Sequence, residues 1–358
     1  MILTLAWALL AAVAQTQTVD RHVTIYRETG RFGGWPANHG IWSWGEEIVV
    51  GFSAAWYQKK DANRHQMDSS KPEQPRLARS RDGGLSWVVE APSSLLPPEQ
   101  GGKPAQTLQS ALPFADPNFA MTLRFKNIHQ GSSYLYYSTD RGKNWQGPYD
   151  FPLFGQSGVA ARTDYIVEGP RECSVFLTAA KSNGREGRVF LARTRDGGLN
   201  WRFVAWIGPE PEGFSIMPSS VRLGPRKLLT ATRVKLDQTR SWIELFESED
   251  DGASWKPAGR VADTGSFSGN PPSLIRLQDG RLCLTYARRD PPFPIAAKLS
   301  ADNGKTWSQE MILRADAAAW DMGYVRSVER PDGKIVTVYY YNDQVAPERF
   351  IAATIWKP

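Results

Sequence analysis

Cysteine is almost missing from this sequence, and so are long apolar runs, clustered charge and closely spaced metal ligands. Two cysteines, Cys173 and Cys283, allow one disulfide at most, which excludes a small stapled scaffold. Beyond the first residues no stretch approaches the roughly 20 apolar residues of a membrane-spanning helix, so no membrane span is expected. The 43 Lys and Arg exceed the 37 Asp and Glu, giving +6, but the excess is spread along the chain. Dispersed charge makes no basic stripe, and no nucleic-acid partner is expected. A mildly cationic surface suits an acidic glycan and equally suits plain solubility. Among four histidines, His39 and His65 form no close-spaced ligand motif with Asp, so neither metal nor cofactor is expected.

What the chain has in plenty is Trp (14), Gly (31) and Pro (25), the makings of a turn-rich β-protein with many flat anchors rather than a helical one. Its 358 residues fit a large all-β unit in one domain. Ile2 to Ala14 is an apolar run of signal-peptide length, and Ala12-Val13-Ala14 supplies a small-x-small cleavage pattern before Gln15. The run lacks a basic start, and polar Gln15 to Thr18 ends it too early for an anchor. Residues 1–14 therefore read as a signal peptide, cleaved near Ala14, and residues 19–358 as the mature unit, secreted or periplasmic.

The pattern Ser/Thr-x-Asp-x-Gly-x-x-Trp occurs five times, from Ser80 to Trp87, Ser138 to Trp145, Thr194 to Trp201, Ser248 to Trp255 and Ser300 to Trp307. Its aspartates, Asp82, Asp140, Asp196, Asp250 and Asp302, are 58, 56, 54 and 52 residues apart. A short Asp can accept hydrogen bonds from amides of its own turn, and Gly supplies a positive φ. The Trp is expected to lay its apolar face against the next unit. Strand-like runs such as Tyr134 to Ser138 and Val189 to Thr194 precede the boxes. An interval near 55 residues holds four short strands, which is one propeller blade.

After Trp307 the chain offers three more strands, Tyr324 to Glu329, Ile335 to Tyr341 and Ile351 to Trp356, around the turn Pro331-Asp332-Gly333. His22 to Tyr26 can supply the missing fourth, closing the ring and removing free sheet edges. The expectation is an all-β, six-bladed β-propeller with Asp-box turns, closed by its N-terminal strand. Cys173 and Cys283 then fall in strands two blades apart, too distant to bond, and read as buried free thiols.

Five Asp boxes on a six-blade count resemble the sialidase (neuraminidase) superfamily over nearly the whole mature chain. The resemblance implies boxes on the face away from the active site, so function rests on residues near the axis. It also implies three arginines on a sugar carboxylate, a Tyr nucleophile helped by a Glu, and an Asp as acid/base. A guanidinium matches a carboxylate bidentately, and a neutral Tyr escapes the repulsion a carboxylate nucleophile would meet. Gly323-Tyr324 before Pro331-Asp332-Gly333 matches the family's nucleophile. Arg233, ending Leu228 to Arg233, and Arg288 or Arg289, before the fifth box, match two of the arginines. Three departures stand out. Gly34-Trp35-Pro36-Ala37-Asn38-His39 occupies the place of an Arg-Ile-Pro sequence. Met217-Pro218-Ser219-Ser220 replaces the Glu, and the residue expected to steady the arginines falls near Tyr340.

Other polar residues stand at blade entrances, read from the sequence directly: Asn38 and His39, Asp116 and Asn118, Arg162 and Asp164, Asn270, Asp321 and Arg326. Near an axis an isolated charge is costly unless paired or functional. Arg162 and Arg326 either supply missing positive charge to a substrate or pair with Asp164 and Asp321 in a buried network. The long segment Trp56 to Pro75 holds Asp61, His65 and Asp68; Asp68 is the expected acid/base, with His65 as substrate ligand or proton partner. The expected function is a monomeric, retaining exo-glycosidase of sialidase type acting on a glycan or glycoconjugate. The missing Arg and Glu leave open a different acidic terminal sugar, and a non-catalytic glycan- or protein-binding propeller is the further alternative.

Overall fold

The computed structural model describes residues 18–358; the expected signal peptide and its cleavage position lie outside the described residues. Strand β1 (Thr18–Tyr26) comes first among the described residues but belongs to the last sheet. Blade one contains β2 (Arg31–Gly34), the short helix α1 (Pro36–His39), β3 (Ile41–Trp44), β4 (Glu47–Trp56), β5 (Gln74–Ser80) and β6 (Val88–Glu90). Blade two contains β7 (Ala120–Phe125), β8 (Ser133–Ser138) and β9 (Gln146–Phe151). Blade three follows with β10 (Val159–Ala160), β11 (Tyr165–Val167), β12 (Cys173–Ala180), β13 (Glu186–Thr194) and β14 (Arg202–Trp206). Blade four has β15 (Phe214–Arg222), β16 (Leu228–Lys235), β17 (Ser241–Ser248) and β18 (Lys256–Asp263). Blade five has β19 (Ser273–Arg276), β20 (Leu282–Ala287), β21 (Ile295–Ser300) and β22 (Met311–Arg314). Blade six has β23 (Gly323–Glu329), β24 (Ile335–Tyr341) and β25 (Phe350–Lys357), and β1 completes it. The molecule is a six-bladed β-propeller of antiparallel sheets.

Ring closure is carried by β1, which pairs antiparallel with β25 from Thr18↔Lys357 to Tyr26↔Ile351. Blade two departs from the four-strand expectation, because its sheet has three strands with β7 innermost. The segment before it is rich in proline (Pro92, Pro97, Pro98, Pro104, Pro113, Pro117), which removes ladder donors and favours the two short 3₁₀ turns found there.

Six apolar clusters fill the six gaps between adjacent blades. No blade therefore has a core of its own; each sheet buries its faces only against its neighbours. The box tryptophans sit in these gaps, but against the preceding blade rather than the next one. Trp145 of blade two packs on Trp42 of blade one at 5.5 Å, and Trp201 of blade three on Phe151 of blade two at 5.3 Å. The turn itself sets this direction. In box one Asp82 accepts from the Ser86 amide (2.9 Å), Gly84 donates its amide to Ser80 Oγ (2.7 Å), and the Trp87 indole donates back to the Gly84 carbonyl (2.9 Å). Gly84 has φ 91°, where a side chain would be strained. Cys173 and Cys283 are free and buried in different gaps, and burial pushes both thiols up.

Candidate active site

With the boxes marking one face, the β4–β5 segment and the chain leading into β23 meet on the other. Two inner strands and the β2–α1 junction reach the axis there through non-glycine residues with positive φ: Met217 (54°), Tyr324 (50°) and, at the junction, Trp35 (58°). At Met217 and Tyr324 the pairing register slips, between Ile216 and Ser219 and between Gly323 and Arg326. A bulge of this kind re-aims one side chain out of the sheet. Each bulge amide is capped from the preceding blade, Met217 N by Thr178 Oγ1 (3.2 Å) and Tyr324 N by Asn270 Oδ1 (3.2 Å).

Tyr324 Oη accepts from Arg233 Nη1 at 3.0 Å, and the guanidiniums of Arg233 and Arg289 lie 5.5 and 5.9 Å from its ring centre. Both arginines are buried, and neither forms an ion pair with a carboxylate among the described residues. Backbone carbonyls hold them instead: Arg233 Nε donates to Ser268 O (2.8 Å) and Arg289 Nη1 to Phe267 O (2.7 Å). Their charge is thus oriented without a direct carboxylate partner, Asp321 being joined to Arg289 only through the Tyr340 hydroxyl. Burial pushes the Tyr324 phenol up, but Arg233, Arg289 and Arg162 outweigh it and hold the phenol below its usual range.

Asp321 is the second centre. This buried carboxylate accepts from His65 Nδ1 (2.6 Å), Tyr340 Oη (2.9 Å), Arg349 Nε (3.1 Å) and the Gln66 amide (3.3 Å). Burial alone would raise it; His65, Arg349 and Arg289 together drive it far below the carboxylate range. Tyr340 links the two centres, since Arg289 Nη2 donates to its hydroxyl at 3.3 Å. The His65 ring is wedged between Trp35 (5.6 Å) and Trp320 (5.5 Å), with a side chain 35% exposed. With Nδ1 on Asp321, its Nε2 is the nitrogen left for a substrate. Phe267 stacks on Trp320 at 4.6 Å and extends this aromatic wall to the rim, where it is 37% exposed. Phe267 (φ 50°), Ser268 (φ 71°) and Gly269 (φ 60°) form three successive left-handed residues, and each non-glycine one costs about 1–2 kcal/mol.

Several residues expected at the site lie elsewhere. Asp68 is bound by Ser70, through amide (3.0 Å) and hydroxyl (2.6 Å), and by Lys71 at 3.4 Å. Its carboxylate is spent on its own turn and makes no contact with the axial cluster. Arg288, just beyond the end of β20, points the other way from Arg289 and pairs with Glu310 at 3.3 Å. Asp116 belongs to the box face: it accepts from the Asn118 amide (2.8 Å), and Asn118 accepts from Arg141 of box two (2.8 Å). The proline-rich entry to blade two has no inner strand to carry either residue to the axis. His39 is buried beside Ser53 (2.9 Å), and burial, then Arg124 and Arg326, hold it well below its usual value.

The remaining polar residues form a structural layer beneath the cluster. Arg162 pairs with Glu186 and donates to Asn38 Oδ1 (3.0 Å). Arg326 Nη2 donates to Ala37 O (2.7 Å) and Thr163 O (2.8 Å), tying blades one, three and six together. Asp164 accepts from Ser220 Oγ (2.8 Å); burial pushes it up to about 7 against the pull of Arg326 and Ser220. Residues missed by sequence reasoning include Trp35, Trp320, Phe267, Ser268, Lys235, Arg349 and Glu73. Glu73 is held up by burial beside Ser53 and His65. The signal for Trp35 was available in Gly34-Trp35-Pro36, and Arg349 immediately precedes the last strand. Lys235 ends β16, and the others lie in loops without periodicity. Among the described residues no group of three or more His, Cys, Asp or Glu is placed to hold a metal. A cleft of about 630 Å³ between blades three and four, lined by Asp196, Asn200 and Asp250, lies on the box face, away from this chemistry.

Fold and site together define a sialidase-like propeller, with Asp boxes on one face and an axial tyrosine between arginines on the other. The chain belongs to the BNR repeat-like domain family, whose model matches residues 76–337. No curated protein matches it in sequence. It is similar in structure to a protein of unknown function from Dyadobacter fermentans (18% identity, TM-score 0.69, covering 95% of this chain and 99% of that one). It is also similar to the NanB sialidase from Streptococcus pneumoniae (11%, TM-score 0.58, 89% of this chain and 67% of that one). A third similar structure is the α-L-arabinofuranosidase Arb93A from Fusarium graminearum (11%, TM-score 0.57, 94% and 97%). At these identities the likeness is one of fold.

Proposed function

We propose that this protein is an exo-acting glycosidase that removes a terminal acidic sugar, such as a sialic or uronic acid, from a glycan. The observation that carries the reading is Tyr324, held below its usual pKa between two guanidiniums that have no carboxylate of their own. Buried, unneutralised arginines are costly unless an anion arrives to pair with them. In this reading Arg233 and Arg289 take the substrate carboxylate, and Tyr324 attacks the anomeric carbon through Oη as the phenolate that the neighbouring guanidiniums favour. As that bond forms, the glycosidic C–O bond breaks, and the leaving oxygen takes a proton from His65 Nε2. Water then displaces Tyr324 from the anomeric carbon, giving its proton back to His65 and retaining configuration. His65 replaces Asp68 as proton carrier, with Asp321 fixing its ring as an orienting carboxylate does. The Phe267–Trp320 wall offers a flat apolar surface for a sugar ring. Similarity to a sialidase and an arabinofuranosidase supports glycosidase chemistry on this fold without choosing the sugar. The apolar N-terminal run supports export to a secreted or periplasmic location.

The test is a panel of chromogenic glycosides that includes a sialoside, a uronoside and a neutral arabinoside, run with the protein and its Tyr324→Phe form. Turnover of an acidic glycoside, lost by about three orders of magnitude or more in Tyr324→Phe, is the expected result. Turnover of the neutral sugar alone would refute the acidic specificity. Glycan binding without turnover, intact in Tyr324→Phe, would establish a binding propeller instead.

A further inference from the structure

The two arginines beside Tyr324 come from different blades, yet one three-residue turn holds both. Ser268 O accepts from Arg233 Nε at 2.8 Å, and Phe267 O accepts from Arg289 Nη1 at 2.7 Å. Consecutive left-handed residues turn these two carbonyls toward opposite partners, a backbone path that side chains disfavour. Glycine next door is required by space as well, since a Cβ on Gly269 would lie 2.2 Å from Thr264 Oγ1. Such strain persists only where the surroundings impose it.

The anchors are visible. Lys235 Nζ donates to Ser268 Oγ at 2.9 Å, and the Ser266 amide donates to Asp290 Oδ1 at 3.1 Å. The Phe267 amide donates to Gln238 O at 3.1 Å. Lys235 lies two residues beyond Arg233 on β16, so one strand supplies both a held arginine and the latch on its holder. A carboxylate partner would orient the guanidiniums equally well but would cancel the charge a substrate anion must meet.

We propose that the Phe267–Ser268 turn, latched by Lys235, is the positioning element that holds Arg233 and Arg289 against Tyr324 with their charge free for a substrate carboxylate. The substrate part of this rests on the acidic-sugar reading above; the positioning part does not. Lys235 and Ser268 are positioning residues that act through the arginines and touch no reacting atom.

The experiment compares Ser268→Ala and Ser268→Gly, which lose the latch, with Ser268→Asn, which tolerates left-handed backbone and can still accept from Lys235. The readout that needs no substrate is the Tyr324 phenol, titrated by near-ultraviolet difference absorbance against the same protein carrying Tyr324→Phe. The expected result is a Tyr324 titration raised by about one pH unit in Ser268→Ala and Ser268→Gly, and restored in Ser268→Asn. With an acidic glycoside that the protein turns over, KM rises about tenfold in the first two variants, kcat falls with the smaller phenolate fraction of Tyr324, and both recover in Ser268→Asn. An unchanged Tyr324 titration in both latch-less variants, each folded by circular dichroism, would overturn the proposal. Absence of turnover by the unmodified protein refutes the glycosidase reading and leaves the titration to decide the positioning role. Ser268→Gly also guards against misfolding, because glycine relieves the strain that alanine keeps.

Discussion

In the proposed reaction Tyr324 and His65 need opposite things from their surroundings, and neighbouring charge supplies both. A phenol serves as nucleophile when cations favour its anion, which Arg233, Arg289 and Arg162 do despite burial. An imidazole serves as proton donor when one nitrogen is fixed and the other is free, which Asp321 arranges. His65→Ala is therefore expected to lose activity in proportion to the basicity of the leaving group. With an alkyl or sugar aglycone the loss in kcat should be about 10²–10⁴-fold, and with a nitrophenyl aglycone far smaller. Equal losses on both substrates would exclude the proton-donor role. Asp164 gives a separate prediction. Burial raises its carboxyl to about 7, above its unfolded value, so the folded state holds the proton more tightly. Its stabilising contribution is complete below about pH 4 and is lost as pH rises through about 7, up to about 4 kcal/mol. Melting curves from pH 4 to 8 should show that decline in the unmodified protein and a flatter profile in Asp164→Asn.

At the scale of the element, legibility followed periodicity. The boxes and the strands flanking them repeat a pattern, and β23, β24 and β25 fall within a residue of where apolar alternation placed them. Blade two lost its inner strand because prolines cannot supply ladder donors, a cue that was present in the sequence but outweighed by the 55-residue rhythm. The site was less legible, because what places it is local backbone departure. Nothing in the residue type of Tyr324 or Met217 announces a bulge, and only Gly323 and Gly34 hint that the inner strands break register there. His65 and Asp321 stand 256 positions apart, so their pairing depends on a docking no local pattern encodes. Asp68 looked the better acid by composition; only the turn with Ser70 and Lys71 shows its carboxylate to be occupied. The bulge also gives a test. Gly323 has φ 108°, and a Cβ there would lie 2.4 Å from Asn270 Oδ1 and 2.8 Å from Ala287 Cβ. Gly323→Ala is expected to destabilise by about 1–3 kcal/mol and to displace Tyr324, so that activity falls more than the melting temperature alone explains. A variant with reduced stability and full activity at low temperature would separate the bulge from the chemistry.

For the whole molecule, the consequence of six gaps and no private cores is that closure is shared. Each blade buries its faces only because a neighbour stands on both sides, so an open ring exposes two apolar faces at once. The closing element is β1, whose ladder to β25 runs from Thr18 to Tyr26 and is reinforced by Lys334–Asp20 at 2.5 Å and His22–Thr354 at 2.9 Å. Ile25 carries it into the gap between blades one and six, where Tyr340 also lies. Tyr340 is the hydroxyl joining Arg289 to Asp321, so the closure and the site share a residue. Removing residues 18–26 leaves β25 as an unpaired edge beside that gap, which invites pairing with another chain. The truncated protein is expected to melt in one transition at a markedly lower temperature, to associate with rising concentration, and to lose catalytic activity together with its fold. Calorimetry and light scattering across a concentration series read all three. A truncated chain that stays monomeric and keeps its melting temperature would mean the ring is held by its inter-blade faces alone, with β1 only an ornament on the outer edge. The register of β1 and the burial of Ile25, with Val23 and Tyr26 packed partly against the same cluster, argue against that, because these residues join the packing that the first and last blades share.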